Sequence, residues 1–184
     1  MTDLTWPDAQ PTLDTGGLTL RPWRATDAEA VYDACQDPEI VAWTTVPFPY
    51  LLEHAESYVG PRSSDAWAHK TAANFAVVDA AETLVGSFGL VRMNPAQGVA
   101  EVGYWVAPGA RRRGVARRAA AAVTEWALRD VGFARVELLA AVENAGSRRV
   151  AERIGFSQEG VLRSAAAGRG ERLHLVIYSR IATD

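Results

Sequence analysis

The sequence contains one cysteine, Cys35, among its 184 residues, so no disulfide bond can form within the chain. Because disulfides are typical of oxidising compartments, this scarcity favours a cytoplasmic protein. The N-terminus has no basic segment followed by an apolar run, so we predict no secretory signal. No run is long and apolar enough to cross a bilayer, and we expect no membrane partner. We interpret Cys35 as a small core residue rather than a nucleophile, since free cysteines are usually buried.

A strong charge of either sign is also missing. The 19 Lys and Arg residues and the 22 Asp and Glu residues give a formal net charge of −3. This balance does not favour nucleic acid as a partner. With 48% hydrophobic and 22% charged residues, the composition is ordinary for a globular protein. We find no internal repeat and no linker, and we predict an irregular lead-in over residues 1–16 followed by a single domain over residues 17–184.

The stretch from residue 101 to residue 117 organises the rest of the chain. Between residues 101 and 106, Val, Tyr and Val occupy every second position, which is the period of a half-buried strand. A Pro-Gly pair ends the strand. Apolar residues then recur at helical spacing as far as Trp126, so we predict a helix that begins near Arg111 or Arg112.

The predicted start of this helix is basic, although acidic residues normally occupy a first turn. Arginines stand at positions 111 to 113 and at 117 and 118, and the small residues Gly114 and Ala116 lie among them. Unpaired backbone N–H groups, the positive end of the helix dipole and room for close approach suit a phosphate or pyrophosphate. An arginine-rich, solvated helix face would explain the same residues, and physical chemistry alone leaves both interpretations open.

The pattern Arg111-x-x-Gly114-x-Ala116 resembles the Q/R-x-x-G-x-G/A signature of the GNAT N-acetyltransferases. Its context strengthens the resemblance, because Gly-Tyr-Trp-Val-Ala-Pro precedes it and an amphipathic helix follows. The resemblance points to the RimJ/RimL type, the ribosomal-protein-alanine acetyltransferases, and extends from about Leu18 to Ile181. It implies acetyl-CoA as co-substrate, with loop amides on the CoA pyrophosphate and the preceding strand on pantetheine and the thioester. The cofactor-binding residues that it implies are Tyr104, Trp105, Val106, Arg111, Arg112, Arg113, Gly114, Val115, Ala116, Arg117 and Asn144.

The remaining elements follow the order β-α-α-β-β-β-α-β-α-β-β. We predict strands at residues 17–24, 74–79, 84–93, 99–106, 134–142, 156–163 and 172–181. A Thr26–Glu29 capping box begins the first helix, and residues 61–72 are expected to form a loop. The order indicates a mixed α/β (α+β) fold with a mostly antiparallel, splayed central sheet of about seven strands flanked by helices. It also matches the fold of the GNAT family.

Glu101 is the candidate base for an acetyl transfer, which requires a group that takes the amine proton. It shares a strand face with Gly103 and Trp105, and a carboxylate among apolar residues has a raised pKa that suits a base acting directly or through water. A structural salt bridge explains Glu101 equally well. The RimJ/RimL type often carries an acid at this position, which favours the base.

Ser147 is the candidate acid or hydrogen-bond donor for the leaving thiolate. Many GNAT relatives place a tyrosine one turn along the helix that Asn144 opens, but this sequence has Ala151 there. Ser147 matches the RimJ/RimL pattern instead. Without the resemblance, Asn144 is simply a helix cap and Ser147 a first-turn residue.

The acceptor side is less well defined by the sequence. Trp43, Phe48 and Tyr50 lie in an aromatic loop with two prolines, which suits either a substrate pocket or packing on the core. The resemblance favours the pocket. His174 stands where the RimJ/RimL branch commonly carries an aspartate, and it could act as a base. A histidine in an apolar strand whose ring nitrogens are hydrogen-bonded within the protein is, however, the more frequent case. The turn at residues 164–170 has no carboxylate, where some relatives carry a glutamate.

The resemblance therefore predicts a cytoplasmic N-acetyltransferase that transfers acetyl directly from acetyl-CoA to a primary amine. A protein or peptide α-amine is the favoured acceptor, because its pKa of about 7.7–8.0 leaves more neutral amine than a lysine with a pKa of about 10.4. The alternatives are a small amine, such as an antibiotic or polyamine, and a non-catalytic acyl-CoA-binding module. We expect no metal ion, and the sequence leaves a homodimer open.

Overall fold

The structure, a computed structural model, describes residues 4–184 of the chain. Within these residues, eight strands form one sheet with the spatial order β1-β2-β3-β4-β5-β6-β8-β7. The strands are β1 (Leu13–Asp14), β2 (Leu18–Arg21), β3 (Ala73–Asp79), β4 (Leu84–Asn94), β5 (Val99–Val106), β6 (Arg135–Ala141), β7 (Ser157–Ala167) and β8 (Arg172–Ile181). All neighbouring strands are antiparallel except β5 and β6, which run parallel.

The helices lie on both faces of the sheet. They are α1 (Ala28–Ala34), α2 (Pro38–Trp43), α3 (Leu52–Ser57), α4 (Ser63–Ala68), α5 (Val115–Glu125) and α6 (Ala145–Arg153). Short 3₁₀ segments occupy Ala25–Asp27, Pro95–Gln97 and Pro108–Ala110, and a π-helical segment occupies Trp126–Val131. Between α3 and α4, the chain kinks at Gly60, whose backbone is not helical. No helix within residues 4–184 is both long and apolar enough to span a bilayer.

The buried apolar residues form two clusters, one on each face of the sheet. Helix α5 buries Val115, Ala119 and Val123 in the larger cluster, together with side chains from β2 to β6. The smaller cluster joins α1, α2 and α3 around Trp105. Because side chains alternate along a strand, β5 supplies Val102 to the first cluster and Trp105 to the second, and so is packed on both faces.

Strands β5 and β6 separate soon after they meet. Their parallel pairing covers three positions, Val99 with Arg135, Ala100 with Val136 and Glu101 with Glu137. Beyond Glu101, β5 continues to pair with β4 as far as Val106. In the described part of the chain, the β6-facing edge of β5 therefore has no strand partner over residues 102–106, and a gap opens between the two strands.

The mixed, mostly antiparallel, splayed sheet expected from the sequence is confirmed. It has eight strands rather than about seven, because Leu13–Asp14 pairs with β2 inside the predicted irregular lead-in. Residues 1–3 of that lead-in lie outside the described residues. Strand β7 also runs on to Ala167 rather than ending near residue 163, which shortens the connection to β8.

Two predictions about the first helices are wrong. Residues 61–72 were expected to form a loop, yet Ser63–Ala68 is helical and buries Ser63. Thr26 does not cap the first helix, since it lies inside the 3₁₀ segment that precedes it. Asp27 occupies the N-cap position of α1, but its side chain makes no capping hydrogen bond to that helix. Its carboxylate instead accepts a hydrogen bond of 2.8 Å from the Arg24 backbone N–H, at the start of the 3₁₀ segment, and pairs with the buried Arg21 guanidinium.

The long central helix begins later than predicted, at Val115 rather than near Arg111 or Arg112. The chain first makes the 3₁₀ segment Pro108–Ala110. Arg112 then has φ of 61° and Gly114 has φ of 75°, both in the left-handed region. A right-handed helix cannot pass through such residues, so the arginines at positions 111 to 113 form a turn in front of the helix.

Candidate active site

The gap between β5 and β6 opens into a cleft of about 1750 Å³. Helices α2, α3 and α4 border one side, and the turn before α5 together with α6 borders the other. Most of the candidate residues meet here, although they come from distant parts of the chain. Those that line the cleft are Trp43, Tyr50, Glu101, Tyr104, Trp105, Val106, Arg111, Arg112, Gly114, Val115, Ala116, Arg117, Asn144 and Ser147.

The turn at residues 111–114 leads into the N-terminus of α5 and has the properties of an anion site. Gly114 stands in the N-cap position with a left-handed φ of 75°, and no atom lies within 4 Å of the place where a Cβ would be. The N–H groups of the first turn of a helix have no intrahelical partners. Open space at Gly114, these N–H groups and the cleft-lining side chains of Arg112 and Arg117 fit a pyrophosphate.

Arg111 is already paired within the protein. Its guanidinium contacts Asp37, and its Nη1 lies 2.8 Å from a carboxylate oxygen of Glu39. Asp37 also caps α2, because its Oδ1 accepts hydrogen bonds of 3.0 Å from the backbone N–H groups of Glu39 and Ile40. Arg111 therefore connects the turn before α5 to the start of α2 rather than offering an unpaired charge.

Glu101 is ion-paired and also lies in the cleft wall, so its position is compatible with either of the two interpretations, the salt bridge and the base. Its side chain is 17% exposed in the cleft wall, and its carboxylate accepts a hydrogen bond of 2.8 Å from the Nε of Arg92. Burial raises the pKa of Glu101, and the hydrogen bond and charge of Arg92 only partly offset this effect. The group is thus an ion-paired carboxylate with a raised pKa that also faces the cleft.

Asn144 and Ser147 lie at the start of α6, as expected. The Oδ1 of Asn144 accepts a hydrogen bond of 3.0 Å from the Ser147 backbone N–H, which confirms the cap. The Ser147 hydroxyl oxygen lies 3.1 Å from the hydroxyl oxygen of Tyr104 on β5. Burial raises the pKa of Tyr104 to about 12, so its side chain is a neutral phenol at physiological pH.

Phe48 and His174 do not line the cleft. Phe48 is 70% exposed, and the guanidinium of Arg169 lies 4.8 Å from the centre of its ring. His174 is exposed, and its Nδ1 accepts a hydrogen bond of 3.2 Å from the Ser164 backbone N–H. Because strand residues alternate, the neighbours Leu173 and Leu175 face the cleft instead.

Arg113 is also exposed and lies outside the cleft wall, although its neighbours Arg112 and Gly114 both line the cleft. Of the predicted basic cluster, the cleft therefore retains the side chains at positions 111, 112 and 117. The Arg113 side chain is consistent with the alternative that the sequence left open, a solvated arginine.

Several cleft residues were missed by the sequence analysis. Arg149 and Arg153 lie one turn apart on α6, a spacing that could have indicated a shared basic face. The hydroxyl of Tyr58 lies 2.8 Å from that of Ser87, a contact between distant residues that no local pattern signals. Across residues 4–184, no group of three or more His, Cys, Asp and Glu side chains could hold a metal ion.

Arg169 was missed as well, and it closes one side of the cleft. Its Nε donates a hydrogen bond of 3.1 Å to the carbonyl of Val41, and its Nη2 donates one of 2.9 Å to the carbonyl of Val46. These contacts join the β7–β8 turn to the aromatic loop after α2. The turn that lacks a carboxylate is thus held by an arginine against α2 and the aromatic loop that follows it.

A comparison with known protein families identifies the family to which this fold and cleft belong. Residues 17–157, most of the chain, match the family model described as the acetyltransferase (GNAT) domain. The chain belongs to the GNAT acetyltransferase family. This membership confirms the resemblance carried by residues 111–116, and with it the enzyme class that the resemblance predicts, an N-acetyltransferase.

Individual relatives agree with this assignment. The chain is 35% identical over 102 residues to YdaF of Bacillus subtilis (strain 168), provisionally named a ribosomal N-acetyltransferase, and this match covers 55% of the chain and 56% of YdaF. It is 26% identical over 171 residues to YoaA of the same organism, an uncharacterised N-acetyltransferase, covering 92% and 96%. The solved structure of RimL, a ribosomal L7/L12 α-N-protein acetyltransferase in complex with coenzyme A, superposes with a TM-score of 0.85 at 18% identity over 93% of this chain and 98% of that one. At that identity, the likeness to RimL shows the shared fold.

Proposed function

We propose that this GNAT protein transfers an acetyl group directly from acetyl-CoA to a primary amine, with the α-amine of a protein or peptide as the acceptor. The observation that carries the proposal is the separation of β5 from β6 directly in front of the turn at residues 111–114. Because of this separation, one cleft contains the unpaired edge of β5, the candidate anion site at the turn and the Glu101 carboxylate with its raised pKa.

The cofactor half of the cleft suits acetyl-CoA. The N-terminus of α5, with Gly114 and the side chains of Arg112 and Arg117, would hold the pyrophosphate. The β6-facing edge of β5 over Tyr104, Trp105 and Val106 would hold pantetheine and polarise the thioester carbonyl through backbone N–H groups. An extended chain bound along a free strand edge is a common mode of recognition.

Glu101 would take the proton that the amine loses. Its raised pKa brings it closer to the pH at which an α-amine is partly neutral, which is the condition for efficient base catalysis. Ser147, at the start of α6, would donate a hydrogen bond to the sulfur as negative charge develops on it. Trp43 and Tyr50 would line the acceptor side.

Direct transfer is favoured over an acetyl-enzyme intermediate. Cys35 lies in the cleft wall, but burial raises the pKa of its thiol to about 11. The nucleophilic form of cysteine is the thiolate, which is scarce at neutral pH when the pKa is that high. The amine is therefore the nucleophile that attacks the thioester.

The choice of acceptor rests on amine chemistry and on the relatives. An α-amine with a pKa of about 7.7–8.0 is partly neutral at physiological pH, so a single carboxylate can serve as the base. RimL is named as an α-N-protein acetyltransferase of ribosomal L7/L12, and the provisional name of YdaF is ribosomal N-acetyltransferase. A ribosomal protein N-terminus is accordingly the first acceptor class to test.

The test supplies the purified protein with acetyl-CoA and one of three acceptors, and follows release of the CoA thiol and the mass of the acceptor. One peptide has a free N-terminus and a blocked lysine, the second has a blocked N-terminus and a free lysine, and the third acceptor is a polyamine. We expect acetylation of the first peptide. Acetylation of the polyamine alone would overturn the acceptor class, and cofactor binding without any transfer would identify a non-catalytic acyl-CoA-binding module.

A further inference from the structure

The contact between Tyr104 and Ser147 joins two separate elements of the cleft. Tyr104 belongs to β5 and Ser147 to α6, and their hydroxyl oxygens lie 3.1 Å apart. The proposed function uses the backbone of Tyr104 and the side chain of Ser147. The side chain of Tyr104 has no part in it so far, although it lies in the cleft wall beside the candidate thiolate donor.

Both hydroxyl groups are held in place by their surroundings. The Tyr104 ring stacks on Phe88 of the adjacent strand, with ring centres 4.8 Å apart and planes 8° from parallel. The Ser147 backbone N–H is fixed by the Asn144 cap, and the next residue, Arg148, donates a hydrogen bond of 3.1 Å to the carbonyl of Val142. The pair is therefore a defined feature of the cleft.

The chemistry of the two groups sets the direction of their hydrogen bond. A phenol is a stronger donor than an aliphatic alcohol because it is more acidic, and burial keeps Tyr104 protonated. This acidity favours the Tyr104 O–H as the donor and the Ser147 Oγ as the acceptor, although the 3.1 Å contact by itself allows either hydroxyl to donate. A serine hydroxyl has one hydrogen, which this arrangement leaves free to point into the cleft.

Helix α6 supplies no phenol of its own. Ala151, one turn after Ser147, is fully buried in the large core cluster and does not line the cleft. A tyrosine at position 151 would be directed into this core. The phenol nearest to Ser147 in the cleft therefore comes from β5.

We propose that Tyr104 is a positioning residue for the leaving group: its hydroxyl holds the Ser147 Oγ and directs the serine hydrogen toward the thioester sulfur. This inference rests on the proposed function. In the transfer, the amine nitrogen bonds to the carbonyl carbon and the C–S bond breaks with its electron pair on sulfur. The amine proton passes to Glu101 and then to solvent. The sulfur accepts the Ser147 hydrogen bond and takes its proton from solvent, which balances the reaction.

The test begins with Tyr104→Phe, which keeps the ring that stacks on Phe88 and removes the hydroxyl. We expect kcat to fall roughly tenfold, the effect of one hydrogen bond made in the transition state, while KM for acetyl-CoA stays unchanged. Ser147→Ala and the double variant complete a cycle. If Tyr104 acts through Ser147, Tyr104→Phe has no further effect on kcat in the Ser147→Ala background, whereas independent roles would add.

Tyr178→Phe is the matched control. Tyr178 is also buried, and its hydroxyl contacts Arg148 and Glu152 on α6, but it does not line the cleft. Loss of kcat in this variant equal to that of Tyr104→Phe would mean that both act by loosening α6, and would overturn the inference. So would an additive cycle or an unaffected Tyr104→Phe. A wild type that binds acetyl-CoA but transfers nothing would contradict the proposed function, and the inference with it.

Discussion

At the scale of single residues, Glu101 is subject to two opposing effects on its pKa. Burial and, to a smaller extent, the negative charge of Glu137 raise this pKa, while the hydrogen bond and charge of Arg92 lower it, and the net effect is a raised value. Without Arg92 the carboxylate would be harder to ionise, and without burial it would be a weaker base. The ion pair therefore contributes to a pKa that suits Glu101 for its proposed role as base.

Glu101→Gln removes the proposed base while it preserves the shape of the side chain. We expect kcat to fall on the order of a hundredfold or more, the usual contribution of a general base, with acetyl-CoA binding retained. Steady-state kinetics and calorimetric titration measure the two quantities. Glu137→Gln is the matched control, because Glu137 lies opposite Glu101 in the adjacent strand but outside the cleft wall, and its charge is the smallest of the effects on the pKa of Glu101. Equal losses in both variants would contradict the role of Glu101.

Arg92→Met tests the effect of the ion pair on the base. Since Arg92 lowers the pKa of Glu101, its removal raises that pKa further. A base with a higher pKa is protonated at a higher pH, so the acid limb of the pH profile of kcat should move to higher pH. The rate above this limb should change little. An acid limb that stays in place, or that moves to lower pH, would show that Glu101 is not the titrating group.

What the sequence could predict of these residues depends on the range of the interaction. Asn144 as a helix cap follows from residues three positions apart, and the prediction was right. The Tyr104–Ser147 pair joins residues 43 positions apart, so only the folded chain reveals it. The sequence placed His174 correctly in a strand, but the side of the strand that it faces depends on the register of β8 with β6 and β7.

At the scale of elements, α2 depends on the side chain at its N-cap position, directly before Pro38. Asp37 caps the helix and also binds Arg111, so one carboxylate fixes the start of α2 against the turn before α5. Helix α2 ends at Trp43, and the aromatic loop follows it. The contact between Asp37 and Arg111 therefore connects the proposed acceptor side of the cleft to the proposed cofactor side.

Substitutions of Asp37 separate the cap from the ion pair. Asp37→Ala removes both and should cost about 1 kcal/mol or more, which lowers Tm by about 2–4 °C for a chain of this size. Asp37→Asn keeps a cap oxygen and should cost less. Thermal unfolding measures both. Glu39→Gln is the control, because its side chain is 66% exposed and pairs of that kind contribute little. An Asp37→Asn variant as unstable as Asp37→Ala would show that the cap is not the main contribution.

The elements themselves were predicted unevenly. Strands β3 to β6 were close to their observed bounds, because their alternation and flanking turns are local signals. Helix α4 was missed, since its sequence Ser-Ser-Asp-Ala-Trp-Ala is short and polar. Its stability comes from tertiary contacts, including those of Trp67 with Trp6 and Trp126. The start of α5 was misplaced because Arg112 adopts a left-handed conformation that is uncommon for arginine.

At the scale of the whole molecule, the function depends on where the sheet is incomplete. If β5 and β6 were paired along their whole length, β5 would have no free edge and no cleft would open between the two strands. The parallel β5–β6 pair ends at Glu101, and the turn at residues 111–114, the candidate base and the start of α6 all lie around the resulting gap. The splay was predictable because the signature at residues 111–116 resembles the GNAT family, whereas the periodicity of single strands does not indicate it.

The central claim is that this gap and the turn beside it bind acetyl-CoA, and isothermal titration with acetyl-CoA tests it most directly. Wild type should bind saturably. Gly114→Glu should weaken binding on the order of a hundredfold, because it places a carboxylate against the pyrophosphate, and such like-charge contacts cost several kcal/mol.

Gly16→Glu is the control for backbone strain, since Gly16 has φ of 69° and open surroundings as Gly114 does, but lies outside the cleft wall. It should bind acetyl-CoA like the wild type. A folded wild type that does not bind, or a Gly114→Glu variant that binds as tightly as Gly16→Glu, would contradict the account.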